Sequence, residues 1–154
     1  MKQQNQYFVF ELDGQRYAME ISLVEKVIHA VELIYLPETP DSLLGLINMG
    51  DKIIPVVNIR KQFNLPAREM KLDDQIIISQ LSTRKIAFIA DNVEGIVEFP
   101  KEQIDEVHQI FPEMARHIVG VGRFNDNTVL IIAIDKLFST QDINRLEKVI
   151  KEQD

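Results

Sequence analysis

The sequence predicts a mainly β protein, two related five-stranded barrels packed together and followed by a C-terminal helix. Two internal repeats and a scarcity of helical patterning carry that prediction. The stronger repeat sets Leu44-Gly45-Leu46 and the run Ile53 to Phe63 against Val119-Gly120-Val121 and the run Thr128 to Phe138. The spacing from Gly45 to Phe63 equals that from Gly120 to Phe138 without a gap; Asp51 matches Asp126 and Lys61 matches Lys136. A weaker repeat precedes it, with Leu12 to Ile28 aligned on Leu81 to Val97. Finding both in the same order implies one β unit used twice. The expected subdomains are residues 6–70 and 74–138, joined where Arg68, Glu69, Lys71, Asp73 and Asp74 make a polar connection.

Taken in order, Tyr7 to Leu12 and Arg16 to Ile21 flank Asp13-Gly14. Asp-Gly between apolar strands is a strong hairpin signal, because glycine accepts the positive φ such turns need. Pro40 to Leu44 reads as a short turn of helix. Pro55 lies inside an apolar strand, and its missing N–H places it at an edge or bulge. Gln75 to Leu81 and Lys85 to Ala90 flank Ser82-Thr83-Arg84, and Asn125-Asp126-Asn127 turns into the strand Val129 to Ile134. Gly45 and Gly120 recur at strand starts, where close approach or positive φ excludes a side chain. Ser139-Thr140-Gln141-Asp142 resembles a capping box. Ile143, Leu146, Val149 and Ile150 then form an apolar stripe for a helix over residues 140–152. The stripe reads as packed on the barrels, with a partner-binding helix as the alternative. Barrel closure removes the edges of such short strands.

Composition narrows the class. Hydrophobic residues at 45% with 27% charged residues describe a globular chain. No apolar run approaches the ~20 residues of a membrane span, and Met1 to Gln6 is too polar for a signal peptide. With no cysteine there is no disulfide, thiolate nucleophile or cysteine zinc site, which suits the cytoplasm. A net charge of −7 with scattered Lys and Arg argues against nucleic acid.

The residues offer no constellation for catalysis, no metal site and no cofactor site. His29, His108 and His117 stand apart, without metal-ligand spacing. Asp73-Asp74 reads as a solvated linker. Asp135 has Arg60 as its repeat counterpart, so the repeat pairs no carboxylates. Gly120-Val121-Gly122 lacks the helix and third glycine of a dinucleotide site.

The pattern as a whole resembles the CheW-type chemotaxis coupling proteins. Phe10-Glu11-Leu12, Gly14, Tyr17, Val24 to Ile28, Leu36-Pro37, Pro40, Gly45 to Asn48 and Ile53 to Arg60 carry the resemblance in the first half. Ala87 to Asp91, Val93, Gly120 to Gly122 and Leu137-Phe138 continue it, so that residues 6–139 read as one CheW-like domain. The resemblance implies two interlocked SH3-like barrels, no enzymatic activity, and a cytoplasmic adaptor recruited to membrane receptor arrays. Its implied partners are a CheA-type histidine kinase, through the regulatory domain of the same fold, and the cytoplasmic tip of a chemoreceptor. Val24 and Lys26 fall where family members meet one barrel of the kinase domain, and relatives often carry an acid in place of Lys26. Ile110 and Phe111, in the segment 105–111, fall at the second kinase contact, which closes signalling rings. Asn48, Gly50 and Asp51 fall at the receptor contact.

One departure stands out. Family members usually carry Asn-Leu-Arg-Gly where this chain has Asn48-Met49-Gly50-Asp51. Two readings stay open: a drifted turn in an ordinary coupling protein, or a variant tuned to a different receptor or displaced from the standard array. The alternative function among binding proteins is a CheW-like scaffold for a non-chemotaxis kinase pathway. A small-ligand sensor or enzyme barrel is the alternative from a different class, and it requires a deep pocket with convergent polar groups.

Overall fold

The computed structural model describes residues 5–37, 40–81, 84–105, 117–124 and 127–137, together with Asn144, Arg145 and Lys148. It contains strands β1 (Gln6–Leu12), β2 (Gln15–Glu20), β3 (Val24–His29), β4 (Leu43–Met49) and β5 (Lys52–Val57). After the short helix α1 (Ile59–Gln62) follow β6 (Gln75–Gln80), β7 (Lys85–Ala90), β8 (Asn92–Glu98), β9 (Ile104–Asp105), β10 (Ile118–Phe124) and β11 (Asn127–Ile132). The strands form two sheets, ordered β8-β1-β2-β11-β10-β9 and β3-β6-β7-β5-β4.

The expected contiguous subdomains 6–70 and 74–138 are corrected by this topology. One compact unit combines the chain up to Val24 with Asp91–Leu137; the other holds Glu25–Ala90. The leading hairpin of each repeat is exchanged, so that β1-β2 joins β8, β10 and β11 while β6-β7 joins β3, β4 and β5. The parallel rungs show the exchange directly. Ala18 of β2 pairs with Ile131 of β11, and their repeat counterparts Ala87 and Val56 pair in the other sheet. The sequence halves are alike, but each sheet draws on both.

Each unit has its own apolar core. One gathers Ile54, Val56, Ile76, Ile78 and Ala87 with Leu33 and Ile47. The other gathers Val9, Ala18, Phe99, Val129 and Ile131, with Tyr7 edge-on to Phe99. Val9, Ala18, Val129 and Ile131 are the repeat counterparts of Ile78, Ala87, Ile54 and Val56. Alternation along the strands sends these residues inward in both units.

Local chemistry accounts for the turns. Asp13 and Gly14 both adopt positive φ, +50° and +78°, the requirement of a type I′ hairpin, and Leu12 faces Gln15 across it. Bulges precede Gly45 and Gly120, where the ladder shifts register. A Cβ on Gly45 would lie 2.8 Å from the Ile34 carbonyl oxygen; on Gly120 it would lie 3.0 Å from Ile104 Cγ2 and 3.2 Å from the Asp105 oxygen. Close approach, not positive φ, requires glycine at both places.

Three readings of the sequence change. Pro55 is on neither an edge nor the bulge, because β5 lies between β4 and β7. Its partner Leu46 exchanges both backbone hydrogen bonds with Ile34, on its other side, so the Leu46–Pro55 pair needs no proline N–H. Pro40 to Leu44 begins no helix; Leu43 opens β4. Helix forms instead at Ile59–Gln62, where the Asn58 side chain accepts from the Lys61 N–H. Its counterpart Ala133 has no such side chain, and there the chain makes a 3-10 turn over Ile134–Lys136. Of the expected C-terminal helix, Asn144, Arg145 and Lys148 are helical and exposed; the rest lies outside the described residues, as do Asn125 and Asp126.

Candidate protein-interaction surface

The five-stranded sheet brings two of the expected contact regions to one end. β3 is its outermost strand, with Val24 half-buried and Lys26 exposed. The Ala30 N–H donates to the Asp74 carbonyl, so the end of β3 lies beside the start of β6, and Val24 to Lys26 lie toward the other end. That other end holds Gln80 opposite Lys85, and β5 runs parallel to β7 from Lys52. The β4–β5 hairpin therefore projects Asn48, Gly50 and Asp51 at the same end, all three exposed. Gly50 has φ +69° and Asp51 does not, as a turn with glycine in its first central position requires. Ile110 and Phe111 lie outside the described residues.

The electrostatics of this end centre on Glu25, which accepts from Lys85 Nζ at 2.7 Å. That hydrogen bond, opposed by partial desolvation and reinforced by the charges of Lys85, Lys26 and Lys52, holds the Glu25 carboxyl below its usual range.

Sequence reasoning missed a second feature of this unit. Asp74, expected in a solvated linker, is buried with 2% exposure, while Asp73 is exposed. Arg68 clamps both its carboxylate oxygens at 2.7 and 2.8 Å, and the Lys71 N–H adds a third bond at 2.7 Å. A buried carboxylate needs such pairing. Only the Arg-to-Asp spacing could have signalled it.

Arg68 and Asp74 border a cavity of about 340 Å³ walled by Leu33, Tyr35, Leu44, Ile59, Met70 and Ile89, with Arg60 and Glu69 at its margin. Both arginines that line it hold structural bonds, Arg60 with the Pro66 carbonyl and Arg68 with Asp74. Among the described residues no three His, Cys, Asp or Glu side chains could hold a metal, and no helix is long and apolar enough to cross a membrane. His29 is exposed at the end of β3, His117 lends its carbonyl to Ala133, and His108 lies outside the described residues.

Exchanged β repeats with candidate contacts on an outer strand and a hairpin tip define a protein-binding module. Its family follows from comparison: the CheW-like domain matches residues 6–142, and the chain belongs to that family, one of non-catalytic chemotaxis adaptors. It is 24% identical to the chemotaxis protein CheW of Treponema pallidum over 94% of this chain and 88% of that one. To the chemotaxis protein CheW of Thermotoga maritima it is 26% identical over 83% of each chain. It is also 29% identical to the chemotaxis protein CheA of Borreliella burgdorferi, over 61% of this chain and 10% of that protein. The crystal structure of the scaffolding protein TtCheW from Thermoanaerobacter tengcongensis superposes with a TM-score of 0.79 at 28% identity, covering 90% of this chain and 94% of that one.

Proposed function

We propose that this chain is a cytoplasmic adaptor that couples chemoreceptor tips to a CheA-type histidine kinase, with residues 6–139 as the working domain. The observation that carries the reading is the family match over residues 6–142, accompanied by the full set of exchanged strands. Val24 and Lys26 on β3 are assigned to the kinase regulatory domain, with Ile110 and Phe111 as its second contact; Asn48, Gly50 and Asp51 are assigned to the receptor. Contacts of this kind act through packed patches on a rigid scaffold and need no cofactor. Co-sedimentation with the kinase regulatory domain and a receptor tip fragment tests the assignment. Folded protein that binds neither overturns it.

The Gly50-Asp51 turn favours a second reading, a scaffold serving a different receptor or kinase pathway. Arginine at position 50 would inherit φ +69°, which strains any residue with a Cβ. The suitable test is therefore the double exchange Gly50→Arg with Asp51→Gly. Gain of binding to a standard chemoreceptor tip, with loss toward the chain's own receptor, supports the tuned scaffold; unchanged binding to both removes it.

A further inference from the structure

The end of the five-stranded sheet that carries Glu25 is basic in an acidic protein. Ile54 and Val56 of β5 and Ala87 of β7 share one core, with Ile28 of β3 packed against it. Alternation then places Lys52 and Lys85 on that same face toward one end of the strands, and Lys26 stands on β3 next to Glu25, the partner of Lys85. Lys85 is engaged by Glu25. Lys26 and Lys52 are exposed, and their side chains make no hydrogen bond or ion pair among the described residues. Even with Asp51 at the hairpin tip counted, this end is net positive, whereas the whole chain carries −7.

The other sheet shows that the fold does not require this excess. The repeat counterparts of Lys85 and Glu25 are Arg16 and Glu94, and they too form an ion pair across their sheet. The counterparts of Lys26 and Lys52 are Gly95 and Asn127, both neutral. The ion pair belongs to the architecture; the two unengaged lysines are additions to one copy. Exposed cations held at fixed positions on a rigid sheet steer and select a partner of opposite charge. Three lysines, at about 1 kcal/mol each near an anionic membrane, are too few to anchor an acidic protein there.

We propose that Lys26 and Lys52, set around the Lys85–Glu25 pair, form a selective docking surface for an acidic face of the partner kinase's regulatory domain. This rests on the coupling function proposed above and adds the charge of the partner surface to it. The test measures, by titration calorimetry, binding of the full chain to the regulatory domain of its own CheA-type kinase at about 0.05 and about 0.5 M salt. Lys26→Glu with Lys52→Glu is expected to weaken binding by about tenfold at low salt and by less than about threefold at high salt, with the Gln pair in between. The melting midpoint should hold, since both side chains are exposed. Reversing a carboxylate to lysine on the kinase domain should restore the Glu variant. Affinities within twofold of each other at both salts overturn the inference while leaving the coupling function standing. Wild-type protein that does not bind the kinase domain overturns it too, and the coupling function falls with it only if the receptor tip is also not bound. Sedimentation with anionic vesicles that the Glu variant loses, at unchanged kinase affinity, would reassign the surface to lipid.

Discussion

The two sheets share a strand order, a parallel rung, a bulge before a glycine and an ion pair between the outer strand and the hairpin. They differ in what fills equivalent positions. Asn58 caps a helix where Ala133 leaves a 3-10 turn, Asp74 is a clamped carboxylate where Asn5 is neutral, and Lys26 and Lys52 stand where Gly95 and Asn127 do. Features present twice are those the backbone needs to close its hydrogen bonds and bury its core. Features present once report local chemistry or contact with something else. The comparison can be broken at several levels.

The largest effect concerns the exchange itself. Residues 25–90 contain nearly all of the five-stranded sheet, whereas residues 6–70 contain β1-β2 without β8, β10 and β11, and β4-β5 without β7. Residues 25–90 alone should give β circular dichroism and a cooperative melt, although a domain of ~65 residues buries only about 60% of its unfolded surface and will be marginal. Residues 6–70 should show neither. The opposite pair of results would mean that the hairpins are not exchanged.

Next is the clamp. Arg68→Ala leaves the buried Asp74 carboxylate without its cation and should cost about 3 kcal/mol in a urea titration. Adding Asp74→Asn, which makes the site neutral like its counterpart Asn5, should recover most of that loss. Failure to recover would show that Arg68 acts through packing along the cavity wall.

The glycines separate the sheets more finely. Gly45→Ala drives a Cβ into the backbone oxygen of Ile34, while Gly120→Ala first meets the Ile104 methyl, which can move. Overpacking of this kind costs about 1–3 kcal/mol, and Gly45→Ala should fall near the top of that range with Gly120→Ala near the bottom. Equal costs would mean that β9 is held as firmly as the Ile34 segment.

Much of this was legible in the sequence, and the reason is periodicity. Strand positions, the Asp13-Gly14 hairpin and the repeats follow from alternation and turn chemistry, which are local. The CheW-like resemblance could be read because order and spacing survive when identity has fallen to about a quarter. Periodicity alone did not show the exchange, although the resemblance implied interlocked barrels: alternation and turn chemistry are local, and long-range register decides which strands a hairpin joins. Asp74 was missed because the turn that brings it under Arg68, Lys71 to Asp74 closed by the Asp74 N–H on the Lys71 carbonyl, contains no glycine or proline to announce it. Pro55 was misplaced because the proline rule takes every interior rung to be hydrogen-bonded, whereas Leu46, opposite Pro55, turns its own groups toward Ile34. In the proposed basic surface, the resemblance singled out Lys26 but gave no sign of Lys52 and Lys85, which strand order alone brings to the same end.

Ser79 offers a small test of the same kind. Its repeat counterpart is the fully buried Phe10, yet Ser79 is itself buried and its hydroxyl has no hydrogen-bond partner among the described residues. Ser79→Ala removes an unsatisfied polar atom and should stabilise by about 1 kcal/mol, read as a higher urea midpoint. A loss of stability would reveal a partner for the hydroxyl.

The smallest effect distinguishes the two ion pairs by where their proton affinity changes. In one sheet Arg16 is pushed up, first by its hydrogen bond to Glu94, which moves it further from any accessible pH. In the other, Glu25 is pushed down, first by its hydrogen bond from Lys85 and then by Lys85, Lys26 and Lys52 as charges. A carboxylate with a depressed folded value contributes stability at neutral pH, above its unfolded value, and loses it as the pH falls through the folded value. The Lys85–Glu25 pair should therefore weaken only under acid, and a carboxyl-carbon NMR titration of Glu25 should find its midpoint below that of a free glutamate. Lys85→Gln removes the leading cause and should raise the midpoint most. Lys26→Gln and Lys52→Gln, acting through charge alone, should raise it by less, and salt should mimic them. If Lys52→Gln leaves the midpoint where it was, Lys52 is too far from Glu25 to count in the basic end of the sheet.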